Sequence, residues 1–298
     1  MPRLLKMPTL LKIISAVFIL VLLPRSSRVV DIFLRFSPRS YPTTPMNDGS
    51  GGPILVISNA ANPFGRYQVE ILRSQGYTSF KAVDITEVEE NPALLNSYDV
   101  ILLGQMKLNA SDVSLLSAWT TKGGTLIAQR PCSLLYLLMG ITSTDSVADN
   151  YKNTYLLVDT AAGKPGAGIV SQTIQYHGVA DLYNTLPGTT SLATLYSSAT
   201  TPTRYPAITS ASVGNNGGNA IAFAFDLAKS IVFTRQGNLA WAGQSRDGQA
   251  GPVRSDNLFY PDYVDFDKIQ IPQADEMQHL LTNIILLDNL HRKPLPHV

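Results

Sequence analysis

The chain has one cysteine, Cys132, in 298 residues. No intramolecular disulfide can therefore staple it, and its stability must come from packing. Histidine is nearly as scarce: His177, His279, His291 and His297 are the only four, too scattered for a zinc centre of the usual His/Cys type. A basic surplus is missing as well. Lysine and arginine total 23 against 22 acidic residues, and Arg3, Lys6, Lys12, Arg25, Arg28, Arg35 and Arg39 all precede position 40, against Asp31 alone. Beyond that point 16 basic residues face 21 acidic ones, leaving the body near −5. Nucleic-acid binders present a basic surface, so that partner class is excluded.

A full-length membrane span is also lacking. The apolar segment IISAVFILVLL, Ile13–Leu23, has eleven residues, closer to a signal-peptide core than to the roughly 20 a spanning helix needs. No small-x-small cleavage site follows it; the chain continues PRSSR and then VVDIFLRF. These features predict a signal anchor within residues 1–36, held in the membrane through residues 10–23 as a single pass, with the body lumenal or extracellular. A cleaved signal peptide and a secreted body is the alternative, and the Arg- and Ser-rich flanks leave a mitochondrial presequence as a third reading. Asn109-Ala110-Ser111 is an N-glycosylation triplet that fits the secretory route. Residues 37–53, SPRSYPTTPMNDGSGGP, read as a linker, residues 54–290 as one globular domain, and 291–298 as a tail.

The body reads as repeated strand, turn and helix. ILVIS from Ile54 leads through NAANPFG into the helical pattern RYQVEILRSQG, stopped at Gly76, and then the strand FKAVDI. YDVILLG, the helix SDVSLLSAWTTKGG and the strand TLIAQR form a second unit. Continuously apolar strands alternating with helices predict an α/β fold, an open and mostly parallel flavodoxin-like sheet sandwiched by helices. After Tyr151 the runs YLLVDT, VSQTIQYH, SLATLYS, YPAITSASV, NAIAFAFDL and SIVFTRQ read as short strands, with Asn215-Asn216-Gly217-Gly218 as a hairpin turn. Residues 235–273 show no sustained period and form a loop long enough to suggest function. A closing helix runs from Ala274 to about Asn289.

The run YDVILLGQMKLNASDVSLLSAWTTKGGTLIAQRP resembles class I glutamine-amidotransferase-like domains, in particular the non-catalytic trimerisation domain of beta-galactosidases. There, a strand ending in Gly leads to a helix reading roughly L..W...GGTLI. NAIAFAFDLAKSIVFTRQGN is similar to the late strand in which such domains place an Asp. From RQGNLAWAGQSRDG to HRKPLP the chain also resembles a module that precedes polysaccharide-deacetylase-like domains in secreted microbial proteins. This resemblance spans most of Ile54–Leu290 and implies a companion module with a deacetylase-like partner protein.

Catalytic relatives place a cysteine in a Gly-x-Cys-x-Gly elbow after a strand, served by a His-x-Glu pair. The glycines let the backbone turn sharply and expose sulfur beside an oxyanion hole. Cys132 occupies a comparable place but stands in Arg-Pro-Cys-Ser-Leu, ahead of CSLLYLLM, which reads as a helix. His177, in QYHG, lacks the following Glu. No catalytic residue is assigned; Cys132 and His177 are the candidates, and the expected state of Cys132 is a buried, inert thiol. Asp226 reads as a structural cap or salt-bridge partner.

Asp256, Asp262, Asp265 and Asp267 crowd the long loop, but their spacing matches no calcium loop; they read as a solvated face, and no metal site is assigned. The loop also joins Trp241 and Tyr260 to Arg235, Arg246, Asp247, Arg254 and Asp256. Sugars are bound by an aromatic face plus planar polar groups, so these seven residues form the candidate binding set. Alternatively the aromatics anchor the loop and the Arg–Asp pairs hold it in place. NAANPFG lacks the glycine spacing of a dinucleotide site and reads as the lead into a helix. The sequence thus predicts a membrane-anchored or secreted amidotransferase-like module that binds or scaffolds, with glycans as candidate ligand and no cofactor. The alternative is an enzyme, either a Cys-dependent hydrolase using Cys132 and His177 or a carbohydrate-processing activity in the 235–272 loop.

Overall fold

Strands that are apolar at every position need cover on both faces, and the computed structural model of the protein supplies it around a nine-stranded sheet. The structure describes Gly49 and residues 51–144, 151–259 and 273–289. Strands β1 (Ile54–Ser58), β2 (Phe80–Asp84), β3 (Val100–Leu103) and β4 (Thr125–Gln129) alternate with helices α1 (Tyr67–Ser74), α2 (Ile85–Glu90) and α3 (Ala110–Thr121). The strand-rich half holds β5 (Ile141–Ser143), β6 (Tyr151–Lys152), β7 (Tyr155–Val158), β8 (Ile174–Gln175), β9 (Val179–Ala180), β10 (Tyr183–Thr185), β11 (Thr190–Tyr196), β12 (Pro202–Val213) and β13 (Gly218–Phe223). Helices α4 (Leu227–Gln236) and α5 (Gln273–Asn289) follow.

Across the sheet the order is β2-β1-β3-β4-β13-β12-β11-β7-β8. The first five of these pair in parallel, and from β13 outward the pairing is antiparallel. This is the α/β class expected, with a parallel half and a strand-rich half. Strands β1, β3 and β4 are buried along their whole length. They share one core with Val69 and Leu72 of α1, Leu116 and Trp119 of α3, Ile231 of α4, and Ile284 and Ile285 of α5.

The double glycine before β4 is explained by Trp119. A Cβ on Gly124 would stand 2.5 Å from the Trp119 ring, whose Nε1 donates to the Leu95 carbonyl at 2.8 Å. Gly123, at φ 112°, turns the chain back from α3 towards β4, and Gly124 lets β4 pass under the indole. The Asn215–Gly218 turn also forms, with Val213 opposite Gly218.

Two elements depart from the sequence expectation. SIVFTRQ lies in α4, not in a strand: Asp226 caps that helix, accepting from the Lys229 amide at 3.0 Å, and Leu227 and Ile231 bury a helical face. The apolar run alone could not separate the two periods; the cap decides. CSLLYLLM forms only a 3-10 turn, Ser133–Leu135, because Gly140 at φ 65° turns the chain at once into β5. The membrane expectation is also corrected. Among the described residues no helix is long and apolar enough to cross a membrane, and residues 10–23, on which that expectation rested, lie outside the described residues.

The Gly124–Trp119 contact can be tested by substitution. Gly124→Ala should destabilise the fold by about 1–3 kcal/mol, the usual range for overpacking, read as a lower urea midpoint. Combining it with Trp119→Leu should cost less than the sum of the two single changes; strict additivity would count against the contact.

Candidate functional site

In open α/β sheets the carboxyl ends of the parallel strands gather on one edge, and ligands bind where successive connections run in opposite directions. Here the chain leaves β1 for β2 on one side and returns to β3 on the other. A cleft of about 850 Å³ opens at that edge. Its lining comes from the residues that follow each strand: Asn59, Asn62 and Phe64 after β1, Gln105 and Lys107 after β3, Arg130, Cys132 and Tyr136 after β4, and Asp226 and Lys229 after β13. Asp181 joins them from the turn between β9 and β10.

Asp226 is the deepest polar group, 4% exposed. Its Oδ2 accepts from Asn62 Nδ2 at 3.0 Å and its Oδ1 from the Lys229 amide at 3.0 Å. Burial raises its pKa, opposed by these hydrogen bonds and by the charge of Lys229. Asn62 Nδ2 also donates to the Gln105 carbonyl at 3.0 Å, so one amide joins the loops after β1, β3 and β13. The reading of Asp226 as a cap matches its place; the NAANPFG turn does lead into α1, and its Asn62 also shapes the cleft.

Arg130, the first residue after β4, has φ 42°, a left-handed conformation uncommon outside glycine. This is the sharp strand-end turn that glycines would supply in an elbow, and an arginine occupies it. Arg130 Nη2 donates to Asp181 Oδ1 at 2.7 Å, while the Tyr183 hydroxyl donates to Asp181 Oδ2 at 3.2 Å. Burial works to lower the Arg130 pKa, but the bond to Asp181 and its charge outweigh that and raise it. Burial, then the Asp181 charge, pushes the Tyr183 hydroxyl pKa up. The Tyr136 and Tyr183 rings meet edge to face at 5.3 Å.

Cys132 is half-buried on the cleft wall and not sealed in the core. Its thiol makes no hydrogen bond to a described residue. His177 does not line the cleft; it is 1% exposed, its amide donates to Ser230 Oγ at 3.0 Å, and burial lowers its pKa to about 4. The structure therefore does not present the two as a pair at the cleft. His279 is exposed on α5, and His291 and His297 lie outside the described residues.

The loop residues gather elsewhere. The Arg246 guanidinium stacks 3.8 Å from the centroid of Trp241, and the amides of Arg246 and Asp247 both donate to Asn257 Oδ1. Asn257, 1% exposed, also donates from Nδ2 to Asp247 and Asp256 at 3.4 Å. Arg235 pairs with Asp275 of α5 at 2.5 Å, and Arg254 is exposed. None of these residues lines the cleft; Tyr260, Asp262, Asp265 and Asp267 lie outside the described residues. Among the described residues no three His, Cys, Asp or Glu side chains cluster as a metal site would require. Asn109 is exposed and caps α3, exchanging hydrogen bonds with Asp112 at 2.9 and 3.0 Å. Asn59, Asn62 and Phe64 stand in NAANPFG, which reads in the sequence as the lead into a helix; Lys107, Arg130, Tyr136, Asp181 and Lys229 carry no mark of their own there, although the strand-end rule flags those that directly follow VILLG and TLIAQ.

Fold and cleft define an open α/β protein with a polar site at the carboxyl edge of its parallel strands. No protein-family model matches the chain, and no curated protein matches it by sequence. Among solved structures it is similar to a protein described as a GMP synthase component from Thermoplasma acidophilum: 10% identity, 80% of this chain and 95% of that one, TM-score 0.48. It is also similar to a carbohydrate deacetylase, at 16% identity over 59% of this chain and 30% of that one, TM-score 0.44. A third is a family 42 beta-galactosidase, at 10% identity over 58% of this chain and 27% of that one, TM-score 0.39. The chain thus spans less than a third of the deacetylase and of the galactosidase. At these identities the likeness concerns the fold, and no residue role is carried across.

The buried imidazole gives a pH prediction. The unfolded chain protonates His177 near 6.5 and the folded one only near 4, so this residue withdraws stability as pH falls from about 6.5 to about 4. Asp226, shifted upward, acts in the opposite sense. His177→Gln should flatten the acid side of a stability profile measured by urea denaturation; an unchanged slope would contradict a neutral buried His177.

Proposed function

We propose that the protein is a saccharide-binding module whose ligand occupies the strand-end cleft. The observation that carries this is the composition of the cleft wall: the planar amides of Asn59 and Gln105 and the Arg130–Asp181 pair stand with the rings of Phe64 and Tyr136 around one open volume. Rings cover the apolar face of a sugar, and planar donors and acceptors pair its hydroxyls. A volume of about 850 Å³ falls within the range of about 300–1,000 Å³ for ligand pockets. The Cys132/His177 hydrolase has less support, because His177 does not line the cleft wall that carries Cys132.

A glycan array probed with the full chain, followed by titration of the best hit, tests this. Phe64→Ala and Tyr136→Ala should each weaken binding about tenfold, as loss of a ring contact does. Trp241→Ala, which reaches the cleft only through Phe233 and Phe64, should cost less than either change. An array without hits, or binding that depends on Trp241 and ignores Phe64 and Tyr136, would overturn the cleft as the site. Turnover of a hit that is lost in Cys132→Ala would establish the hydrolase instead.

A further inference from the structure

The charge of the cleft runs against that of the body around it. Beyond position 40 acidic residues outnumber basic ones, 21 to 16, yet the cleft is lined by three cations, Lys107, Arg130 and Lys229, and two carboxylates, Asp181 and Asp226. Asp181 is engaged by Arg130. Asp226 has both oxygens occupied by donors, and burial disfavours its charged form. Among the described residues neither Lys107 nor Lys229 has a carboxylate within ion-pair distance.

The lysines differ in setting. Lys107 is exposed. Lys229 is half-buried, with its ammonium 5.5 Å from the ring centroids of both Phe64 and Phe233, a placement that keeps a partly desolvated cation in the wall. Arg130 adds a buried Nε that meets no acceptor. Cations lining a concave, partly apolar wall concentrate positive potential inside it, and a neutral sugar would leave that potential unanswered.

We infer that the ligand is an acidic saccharide: the cleft selects sugars bearing a carboxylate, with Lys107 and Lys229 as countercharges and the amides and rings holding the hydroxylated frame. This rests on the saccharide-binding reading above and adds the charge of the ligand to it. The pairing is direct for Lys107 at the rim and water-poor for Lys229, so the two should differ in salt sensitivity.

Calorimetric titration of the full chain with trigalacturonate and with galactotriose separates the two readings. At low salt, about 50 mM, the acidic trisaccharide should bind about tenfold tighter than the neutral one, and the gap should narrow at about 500 mM. Lys107→Gln and Lys229→Gln should each shrink the ratio of the two affinities; Lys107, being exposed, tests this without disturbing the core, and a ratio unchanged in both variants overturns their role as countercharges. Equal affinity for the two sugars at both salt levels overturns the charge inference and leaves the saccharide reading standing. No binding of either sugar, nor of any array glycan, overturns the saccharide reading and this inference with it.

Discussion

The cleft depends on one hydrogen bond between residues 164 positions apart in the chain, from Asn62 Nδ2 to Asp226 Oδ2. Parallel strands leave their connecting loops on one edge, and nothing in the ladder itself ties those loops to one another. Asn62 does so by donating to both Asp226 and the Gln105 carbonyl, while Asp226 also starts α4. A carboxyl group this buried is costly unless donors surround it, and in a low-dielectric setting each of those donors counts for more. The node therefore ties the three loops into one floor for the cleft.

The strand-rich half contributes through Asp181. Its amide donates to the Ala224 carbonyl at 2.9 Å, which fixes the turn between β9 and β10 beside the end of β13. From there its carboxylate meets Arg130, whose left-handed backbone is held by its own amide bonding the Phe223 carbonyl at 2.9 Å. A strained residue persists only where its surroundings over-determine it, and here two long-range contacts do. The antiparallel extension of the sheet thus has a local consequence at the cleft as well as completing the core.

Much of the fold was legible in the sequence because its signals are local. ILVIS, VILLG and TLIAQ declare buried strands by composition, and the glycines at 123 and 124 mark where α3 must turn back under Trp119. SIVFTRQ misleads because seven residues suit either period, and its cap, Asp226, sits in the preceding strand-like run. The cleft was harder to see. Arg130 and Asp181, or Asn62 and Asp226, meet only through the sheet order, which no local pattern encodes. Asn257, which organises the loop by accepting two amides and donating twice, carries no compositional mark at all.

The described part of the long loop nevertheless bears on the cleft. Phe233 of α4 packs against Phe64, Val232, Trp241 and Phe259, with the Phe64 and Phe233 rings edge to face at 5.2 Å. Trp241 is held in turn by Arg246, and Arg246 by Asn257. Aromatic side chains fix one another's orientation because their edges and faces carry opposite partial charge. Phe64 and Lys229 are then the members of this chain of contacts that face the cleft, and their positions depend on the cluster behind them. Among the described loop residues, Trp241, Arg246 and Asn257 thus stand behind Phe64 and Lys229 on one wall of the cleft.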